Sequence, residues 1–246
     1  MKYHHFETLG STNDHLLKMA EGGAPEWTVV IADRQTSGRG RRSRDWWSPE
    51  GNLHMSILLR PKVSPQQLLR LPVIASLAFL SAMGESGSSL TVKWPNDILL
   101  DGRKMTGILT ESKSEGEKVL WVVVGFGVNM VRKEAHIPIG LKERMAFVSE
   151  LEEGLEPGEL AIRIARSVKA WSGAMMGEGW ESAMEEWSRR AIFNLPYTCR
   201  DGLREIEGVP VRLDKSGGLV MKTADGEVTV YSGEIEEIGE SLKDKG

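Results

Sequence analysis

Runs of hydrophobic residues alternate with polar residues along the first half of the chain, in the patterns of strands and short helices. Apolar, β-branched runs predict strands at 3–9, 28–33, 52–60, 90–94, 98–100, 105–112 and 118–130. Ser11-Thr12-Asn13 is typical of a helix start and Gly22-Gly23 of a helix end, so a helix is predicted over 12–21. Both alternating faces of 118–130 are apolar, which predicts a strand in the middle of a sheet covered on both sides.

Three later segments have the three-to-four spacing of amphipathic helices. From Ser64-Pro65 the apolar positions recur as far as Ala82, and Pro72 marks a break or a fresh first turn. The same spacing predicts helices at 158–176 and 180–190. The strands are joined by hairpin signals and do not alternate regularly with helices, which indicates an α+β fold with a mixed, largely antiparallel sheet.

The pattern changes near residue 195 to short β runs separated by glycine turns. These runs lie at 209–213, 218–222, 227–231 and 234–238. We therefore expect a main α+β domain over 1–194 and a small β-barrel domain over 195–246.

Composition narrows the class of protein. The chain has 246 residues, of which 40% are hydrophobic, and a net charge of -4, as is typical of a packed globular protein. Its longest lipid-like run, 73–83, is far shorter than the roughly 20 residues that span a bilayer, and the start of the chain has no secretory pattern. The single cysteine, Cys199, excludes an internal disulfide and a cysteine-based zinc cluster. We expect a cytoplasmic protein.

The loop 33–45 carries five arginines and two aspartates in a protein of negative net charge. Arginine forks suit carboxylates and phosphates, and Gly38 and Gly40 let the backbone approach such a ligand. The loop is therefore an anion site, a solvated basic loop or a nucleic-acid patch. Since five like charges repel one another and little apolar surface is available to order them, we expect the loop to be mobile without a ligand.

Three further segments carry polar residues or glycines. Ser11-Thr12-Asn13 either caps its helix or holds a polar ligand there. Asp97 follows an apolar strand, and Lys104 comes seven residues later beyond a turn, an arrangement that suits magnesium and phosphate or an ordinary surface hairpin. The segment Gly125 to Asn129 lacks the third glycine of a dinucleotide fingerprint, and the chain contains no P-loop motif.

Taken together and in order, the motifs resemble those of biotin protein ligases. They are Ser11-Thr12-Asn13, Arg34 to Arg42, Trp46 with Ser48-Pro49, Lys93 to Asp97, Lys104 with Gly107-Ile108-Leu109, and Gly125 to Asn129. The letters GRGRR and KWPND are specific to the family in this order. The resemblance spans nearly the whole chain and implies a class II synthetase-like catalytic domain with an SH3-like C-terminal barrel. Since only ten residues precede Ser11, it points to the form without an N-terminal DNA-binding domain.

The resemblance implies a ligase that acts in two steps. Biotin and MgATP give biotinyl-5′-adenylate and pyrophosphate, and a lysine of a biotin carboxyl carrier protein then takes the biotinyl group. Biotin, ATP and Mg²⁺ are the implied substrates and ion, without a tightly bound structural metal. The implied partner is the carrier domain of a biotin-dependent carboxylase, with no DNA and no membrane. The oligomeric state stays open between a monomer and a homodimer.

Roles follow from the resemblance by matching position. Lys104 and Arg41 would be catalytic, with Lys104 between the biotin carboxyl and the α-phosphate. The residues that would bind biotin are Ser11, Thr12, Asn13, Gln35, Arg39, Gly40, Arg41 and Lys104. The residues that would bind the nucleotide are Arg41, Arg44, Trp46 and Asn129. Asp97 would hold magnesium.

Two other functions remain open. A lipoate or octanoate ligase has the related fold, although GRGRR and KWPND favour biotin. A non-catalytic biotin sensor is the second, and the presence of Lys104 argues against it. Three positions depart from the family pattern: Ser43 where glycine is frequent, His54 where an aromatic residue is usual, and Thr106 where a small apolar residue is common.

Overall fold

The computed structural model describes residues 1–132, 137–193, 195–201 and 204–237. Its larger sheet has the strands β1 (Lys2–Leu9), β2 (Thr28–Gln35), β3 (Leu53–Leu59), β4 (Thr91–Lys93), β5 (Asp97–Leu100), β6 (Arg103–Glu115) and β7 (Lys118–Val128). Their order is β1-β2-β3-β7-β6-β5-β4. β1 and β2 pair in parallel, and the other neighbours pair antiparallel. The mixed, largely antiparallel sheet is therefore confirmed.

β7 is the central strand of this sheet, as its apolar alternation predicted. On one face Val122, Val124 and Phe126 join the main core with the helices α2 (Leu71–Met83) and α3 (Pro157–Met176). On the other face Val123 packs in a smaller cluster with Leu16 of α1 (Thr12–Glu21). Both faces of the strand are covered because a helical layer lies on each side of the sheet.

The helices begin and end close to the predicted positions. Ser11 caps α1, its Oγ accepting a hydrogen bond from the Asp14 backbone N–H at 3.3 Å. A 3-10 turn, Pro65–Arg70, leads into α2, so that Pro72 falls in a first helical turn, where it breaks no helical hydrogen bond. The last helix of the main layer, α4 (Trp180–Arg190), packs beside α2 and α3.

Among the described residues, one helical segment, Pro65–Ser89, is long and apolar enough to cross a membrane by length and composition. In the structure its central part, α2, is a core helix: 11 of its 13 residues are buried. A helix that is apolar all round is typical of such a position, because α2 packs on the sheet and on α3 at once.

A second sheet follows α4. It consists of β8 (Tyr197–Asp201), β9 (Arg204–Leu213), β10 (Leu219–Thr223), β11 (Gly226–Val230) and β12 (Glu234–Glu237) in the order β11-β10-β9-β8-β12. All neighbours are antiparallel, which is compatible with the predicted SH3-like barrel. The sequence pattern did not predict β8 as a strand. The predicted run at 234–238 is seen as far as residue 237, and 238–246 lie outside the described residues.

Candidate active site

A cavity of about 270 Å³ opens on the sheet face that carries α1. Eleven of the twelve predicted site residues line it, namely Ser11, Thr12, Asn13, Gln35, Arg39, Gly40, Arg41, Arg44, Trp46, Asp97 and Lys104. They come from the start of α1, the end of β2, the loop 33–45 (the arginine loop) with Trp46 just after it, and the β5–β6 hairpin. The structure thus brings together residues that are up to 93 positions apart in the sequence.

Glycines form the floor of this cavity because other groups approach the sheet too closely for a side chain. A Cβ on Gly125 would lie 2.2 Å from Oδ1 of Asn13, and a Cβ on Gly127 would lie 2.4 Å from the Trp46 ring. Ser56 of β3 lies directly opposite Gly125, so its side chain is on the same face of the sheet. The sequence pattern showed these glycines only as an incomplete nucleotide motif, whereas their role here is close approach.

Hydrogen bonds join the polar residues at one end of the cavity. Oε1 of Gln35 accepts from the Thr12 backbone N–H at 2.7 Å, and Nε2 of Gln35 donates to Ser48 Oγ at 3.0 Å. The buried Ser56 Oγ lies 2.8 Å from Thr12 Oγ1 and 2.6 Å from Asn13 Oδ1. Ser56 was missed in the sequence, where its signal was a single hydroxyl within an apolar strand. We call this network the polar corner; it consists of Thr12, Asn13, Gln35, Ser48 and Ser56.

Two carboxylates hold Arg39 at the edge of the polar corner. Its Nε donates to Asp14 Oδ2 at 3.2 Å, and its Nη2 donates to Glu111 Oε1 at 3.1 Å and also contacts Asp14 Oδ1. The hydrogen bond to Asp14 raises the pKa of Arg39 above its ordinary value. Neither carboxylate was predicted as a site residue. Asp14 occupies an ordinary position in the first turn of a predicted helix, and Glu111 lies near the end of a predicted strand. Neither position carries a local signal of a binding site.

Arg41 reaches the second sheet. Its Nη1 donates to the Gly233 carbonyl at 2.8 Å and to Asn96 Oδ1 at 3.4 Å. Burial, followed by the nearby Arg42 guanidinium, lowers the pKa of Arg41 below its ordinary value. The group still carries its charge near neutral pH, because arginine titrates far above that range.

The neighbouring arginines also bind the second sheet. Nη2 of Arg42 donates to the Arg200 carbonyl at 3.0 Å, and Arg44 forms an ion pair with Glu234. Glu234 lines the cavity too and was not predicted. Four guanidinium groups of the loop thus have protein partners, which offset the mutual repulsion from which its mobility was predicted. The mobility of the loop stays a prediction.

Lys104 lies beside a carboxylate and an aromatic ring. Its Nζ is 2.8 Å from Asp97 Oδ1 and 5.2 Å from the centroid of the Trp46 ring. Its backbone carbonyl accepts from the Ala146 N–H and from Asn129 Nδ2, both at 3.0 Å. The backbone of Lys104 is therefore fixed, while its ammonium, on a side chain 35% exposed, faces the cavity.

Asn129 is the one predicted site residue that does not line the cavity. It is 2% exposed and lies beneath the backbone of Lys104, to which its amide donates. Its Oδ1 has no hydrogen-bond partner among the described residues. Its contact with a nucleotide stays a prediction, and the contact seen here supports Lys104.

Within the described part of the chain, no three His, Cys, Asp or Glu side chains are grouped to hold a metal ion. Asp97 contributes one carboxylate, whose nearest charged neighbour is the ammonium of Lys104. Magnesium commonly binds through one or two carboxylates together with the phosphates of a substrate. The donor set fits an ion that arrives with a nucleotide better than a resident metal.

The fold and the site define an α+β enzyme in which lysine and arginine side chains and a polar corner share one cavity on a mixed sheet. The chain belongs to the biotin/lipoate A/B protein ligase family, whose sequence model matches residues 6–129.

Known relatives match over most of the chain. It is 33% identical to the bifunctional ligase/repressor BirA of Bacillus subtilis, over 95% of this chain and 73% of that protein. It is 32% identical to the biotin–[acetyl-CoA-carboxylase] ligase of Paracoccus denitrificans, over 92% of this chain and 96% of that protein. The structure of the biotin protein ligase from Aquifex aeolicus in complex with biotin and ATP is similar with a TM-score of 0.80 and 26% identity, covering 96% of this chain and 97% of that one.

Proposed function

We propose that the chain activates biotin with MgATP to biotinyl-5′-AMP and transfers the biotinyl group to a lysine of a biotin carboxyl carrier protein. The proposal rests on one observation: a single cavity holds two sets of residues that suit two different parts of the reaction. The polar corner suits a neutral ring with donors and acceptors, and Lys104, Arg41 and Arg44 suit the anions that must react beside it.

The hydrogen-bond capacity left in the polar corner favours the ureido ring of biotin. Asn13 Oδ1 keeps a free lone pair, while the Ser11 hydroxyl and one Nε2 hydrogen of Gln35 remain as donors. The carbonyl oxygen of a urea can accept from both donors, and one of its N–H groups can donate to Asn13 Oδ1. The dithiolane of lipoate has neither, so it would leave buried polar groups without partners, a situation that discriminates strongly between ligands.

The first step joins two anions. A carboxylate oxygen of biotin attacks the α-phosphorus of ATP, and the bond from that phosphorus to the leaving pyrophosphate breaks. Negative charge gathers on the phosphoryl oxygens, where fixed cations in a partly buried site stabilise it. We assign this role to Lys104, whose ammonium lies near Asp97 and Trp46, and to Arg41, which lines the same cavity. Magnesium bound to ATP would neutralise phosphate charge, and Asp97 is the carboxylate that would hold it.

In the second step the neutral amine of the acceptor lysine attacks the carbonyl carbon of the adenylate, and AMP leaves with the bonding electrons. The adenylate is a mixed anhydride that also reacts with water and stray amines, so it must be covered until the carrier arrives. We propose that the arginine loop, whose Gly40 and Arg41 line the cavity, provides this cover.

We also propose that the chain forms two domains, 1–194 and 195–246. Asn194, at the boundary, lies outside the described residues. The main domain supplies the cavity and the C-terminal sheet supplies Glu234 to its wall. The partner is the carrier domain of a biotin-dependent carboxylase, and the reaction takes place in the cytoplasm, where ATP is available. We propose no role for DNA, and a monomer or a homodimer would serve equally.

The test is a reaction of the purified protein with biotin, MgATP and a biotin carboxyl carrier domain. The carrier should gain the mass of one biotinyl group, and pyrophosphate should appear only when biotin and ATP are both present. Equal release with lipoate would contradict the specificity for biotin. Biotin binding without pyrophosphate release would identify a sensor instead of a ligase.

A further inference from the structure

Glu111 lies on β6 next to the polar corner and takes no part in the two reaction steps. Its side chain is 27% exposed and does not line the cavity. Two cavity residues donate to its carboxylate: Asn13 Nδ2 at 2.8 Å and Arg39 Nη2 at 3.1 Å. One carboxylate thus links the start of α1 to the arginine loop.

This contact determines which end of the Asn13 amide faces which group. An ionised carboxylate only accepts hydrogen bonds, so the amide nitrogen must face Glu111. The Leu109 carbonyl, 3.5 Å from the same Nδ2, is also an acceptor. Oδ1 of Asn13 is then directed to Ser56 Oγ and to the floor of the cavity at Gly125. Asn13 is 4% exposed, so its amide is oriented mainly by these protein partners.

We infer that Glu111 is a positioning residue for biotin: it holds Asn13 so that an acceptor oxygen meets an N–H of the ureido ring, and it steadies Arg39 beside it. This inference rests on the proposed function, since it assigns the orientation of one group in the same site. Without the carboxylate the Asn13 amide can turn and present a donor to a donor, which removes a buried hydrogen bond from the complex.

Asp14 makes it possible to test the contact with Arg39 separately from the contact with Asn13. It is the other carboxylate bound to Arg39, but Asn13 Nδ2 donates to Glu111 and not to Asp14. Changing Asp14 therefore weakens the hold on Arg39 and leaves the orientation of Asn13 in place. Changing Glu111 weakens both contacts, the one with Asn13 and the one with Arg39.

The experiment compares Glu111→Gln with the wild type. Glutamine keeps the shape of the side chain, but its amide can donate as well as accept, so it no longer dictates the orientation of Asn13. The Kd for biotin, measured by calorimetry without ATP, should rise about tenfold to hundredfold, as expected for loss of a hydrogen bond that depends on a charged partner. The KM for ATP should change by less than about threefold, because the nucleotide residues are untouched.

Two variants act as controls. Glu115→Gln makes the same chemical change at an exposed position on the same strand and should bind biotin like the wild type. Asp14→Asn should raise the biotin Kd less than Glu111→Gln does. Thermal unfolding of every variant shows whether the fold is retained.

The double variant Asn13→Ala/Glu111→Gln separates positioning from general destabilisation. If Glu111 acts mainly through Asn13, the double variant should lose clearly less affinity for biotin than the sum of the two single losses, because coupled residues are not additive. The part of the effect that passes through Arg39 is measured by Asp14→Asn. Fully additive losses, or an unchanged biotin Kd in folded Glu111→Gln, would overturn the inference. Wild-type protein that binds biotin but releases no pyrophosphate would overturn the proposed function and leave this inference standing.

Discussion

Nζ of Lys104 lies 2.8 Å from Oδ1 of Asp97, so the principal cation of the site is oriented by a carboxylate before any nucleotide binds. The contact is an ion pair, since Asp97 Oδ1 has no hydrogen-bond partner among the described residues. The three N–H donors of the ammonium are therefore available for oxygens that enter the cavity. The pair is partly exposed, so its contribution to folding is small, and its importance lies in the direction that it gives to the side chain.

Lys104→Ala should slow adenylate formation by about 10² to 10³, the usual effect of removing one preorganised group from a developing anion. The fold should survive because the side chain faces the cavity and not the core. Pyrophosphate release that depends on biotin measures the effect. Lys113→Ala is the control, since Lys113 lies on the same strand with its side chain 48% exposed. Normal release by Lys104→Ala would show that the lysine has no catalytic role.

Gly127→Ala should weaken ATP binding by displacing Trp46. The added Cβ would lie 2.4 Å from the indole ring, which must then leave the floor of the cavity. Stacking of a base on an aromatic side chain contributes roughly 1 to 3 kcal/mol, so the KM for ATP should rise at least severalfold while biotin binding is nearly kept. Trp46→Ala should also raise the KM for ATP.

Gly158→Ala is the control for this substitution, because a Cβ there meets nothing within 4 Å. The stacking role of Trp46 would be contradicted if both Gly127→Ala and Trp46→Ala lost thermal stability but kept their affinity for ATP.

Arg41→Gly should shorten the time for which the adenylate is retained more than it slows adenylate synthesis. The guanidinium ties the loop to the Gly233 carbonyl and to Asn96, and glycine removes these bonds and adds backbone freedom. The measurement is the rate at which biotinyl-5′-AMP leaves the protein, together with the labelling of unrelated lysines.

Arg42→Gly provides the comparison, since it also deletes a guanidinium of the loop. Arg42 has a φ of 53°, a left-handed conformation that glycine adopts without strain. Equal release rates for Arg41→Gly and the wild type would show that the loop is a fixed wall and not a lid.

The pH dependence of stability should contain a contribution from His54. Burial lowers the pKa of this histidine from 6.5 to about 4 in the folded protein. Between these values the unfolded chain binds a proton that the folded chain does not, so stability is present above pH 6.5 and is lost as the pH falls towards 4. From pH 7 to pH 5 the loss from this group should be about 2 kcal/mol.

His54→Phe removes the titrating group and should flatten this part of the pH profile. The substitution also loses the hydrogen bond between His54 Nε2 and the Pro49 carbonyl. The two proteins are therefore compared by how much their free energy of unfolding changes with pH, and not by its absolute value. Urea unfolding at pH 7 and pH 5 measures the difference. An equal loss in both proteins would place the pH dependence on other groups.

Local patterns in the sequence were sufficient for most of the elements and for the order of the motifs. Alternation and helical spacing predicted the strands of the larger sheet and all four helices, because each depends on residues a few positions apart. The strand β8 was missed, since it follows α4 closely and its pairing with β9 and β12 has no local signal.

Motif resemblance identified eleven residues that line one cavity, but not the residues that hold them in place. Glu111 meets Asn13 across 98 positions of the chain, and Glu234 meets Arg44 across 190. Such contacts follow from strand register and from the docking of the second sheet, which local spacing does not encode. Tertiary structure alone also placed Asn129 beneath Lys104, because a side chain's neighbours across a sheet depend on which strands pair and not on the residues beside it in the sequence.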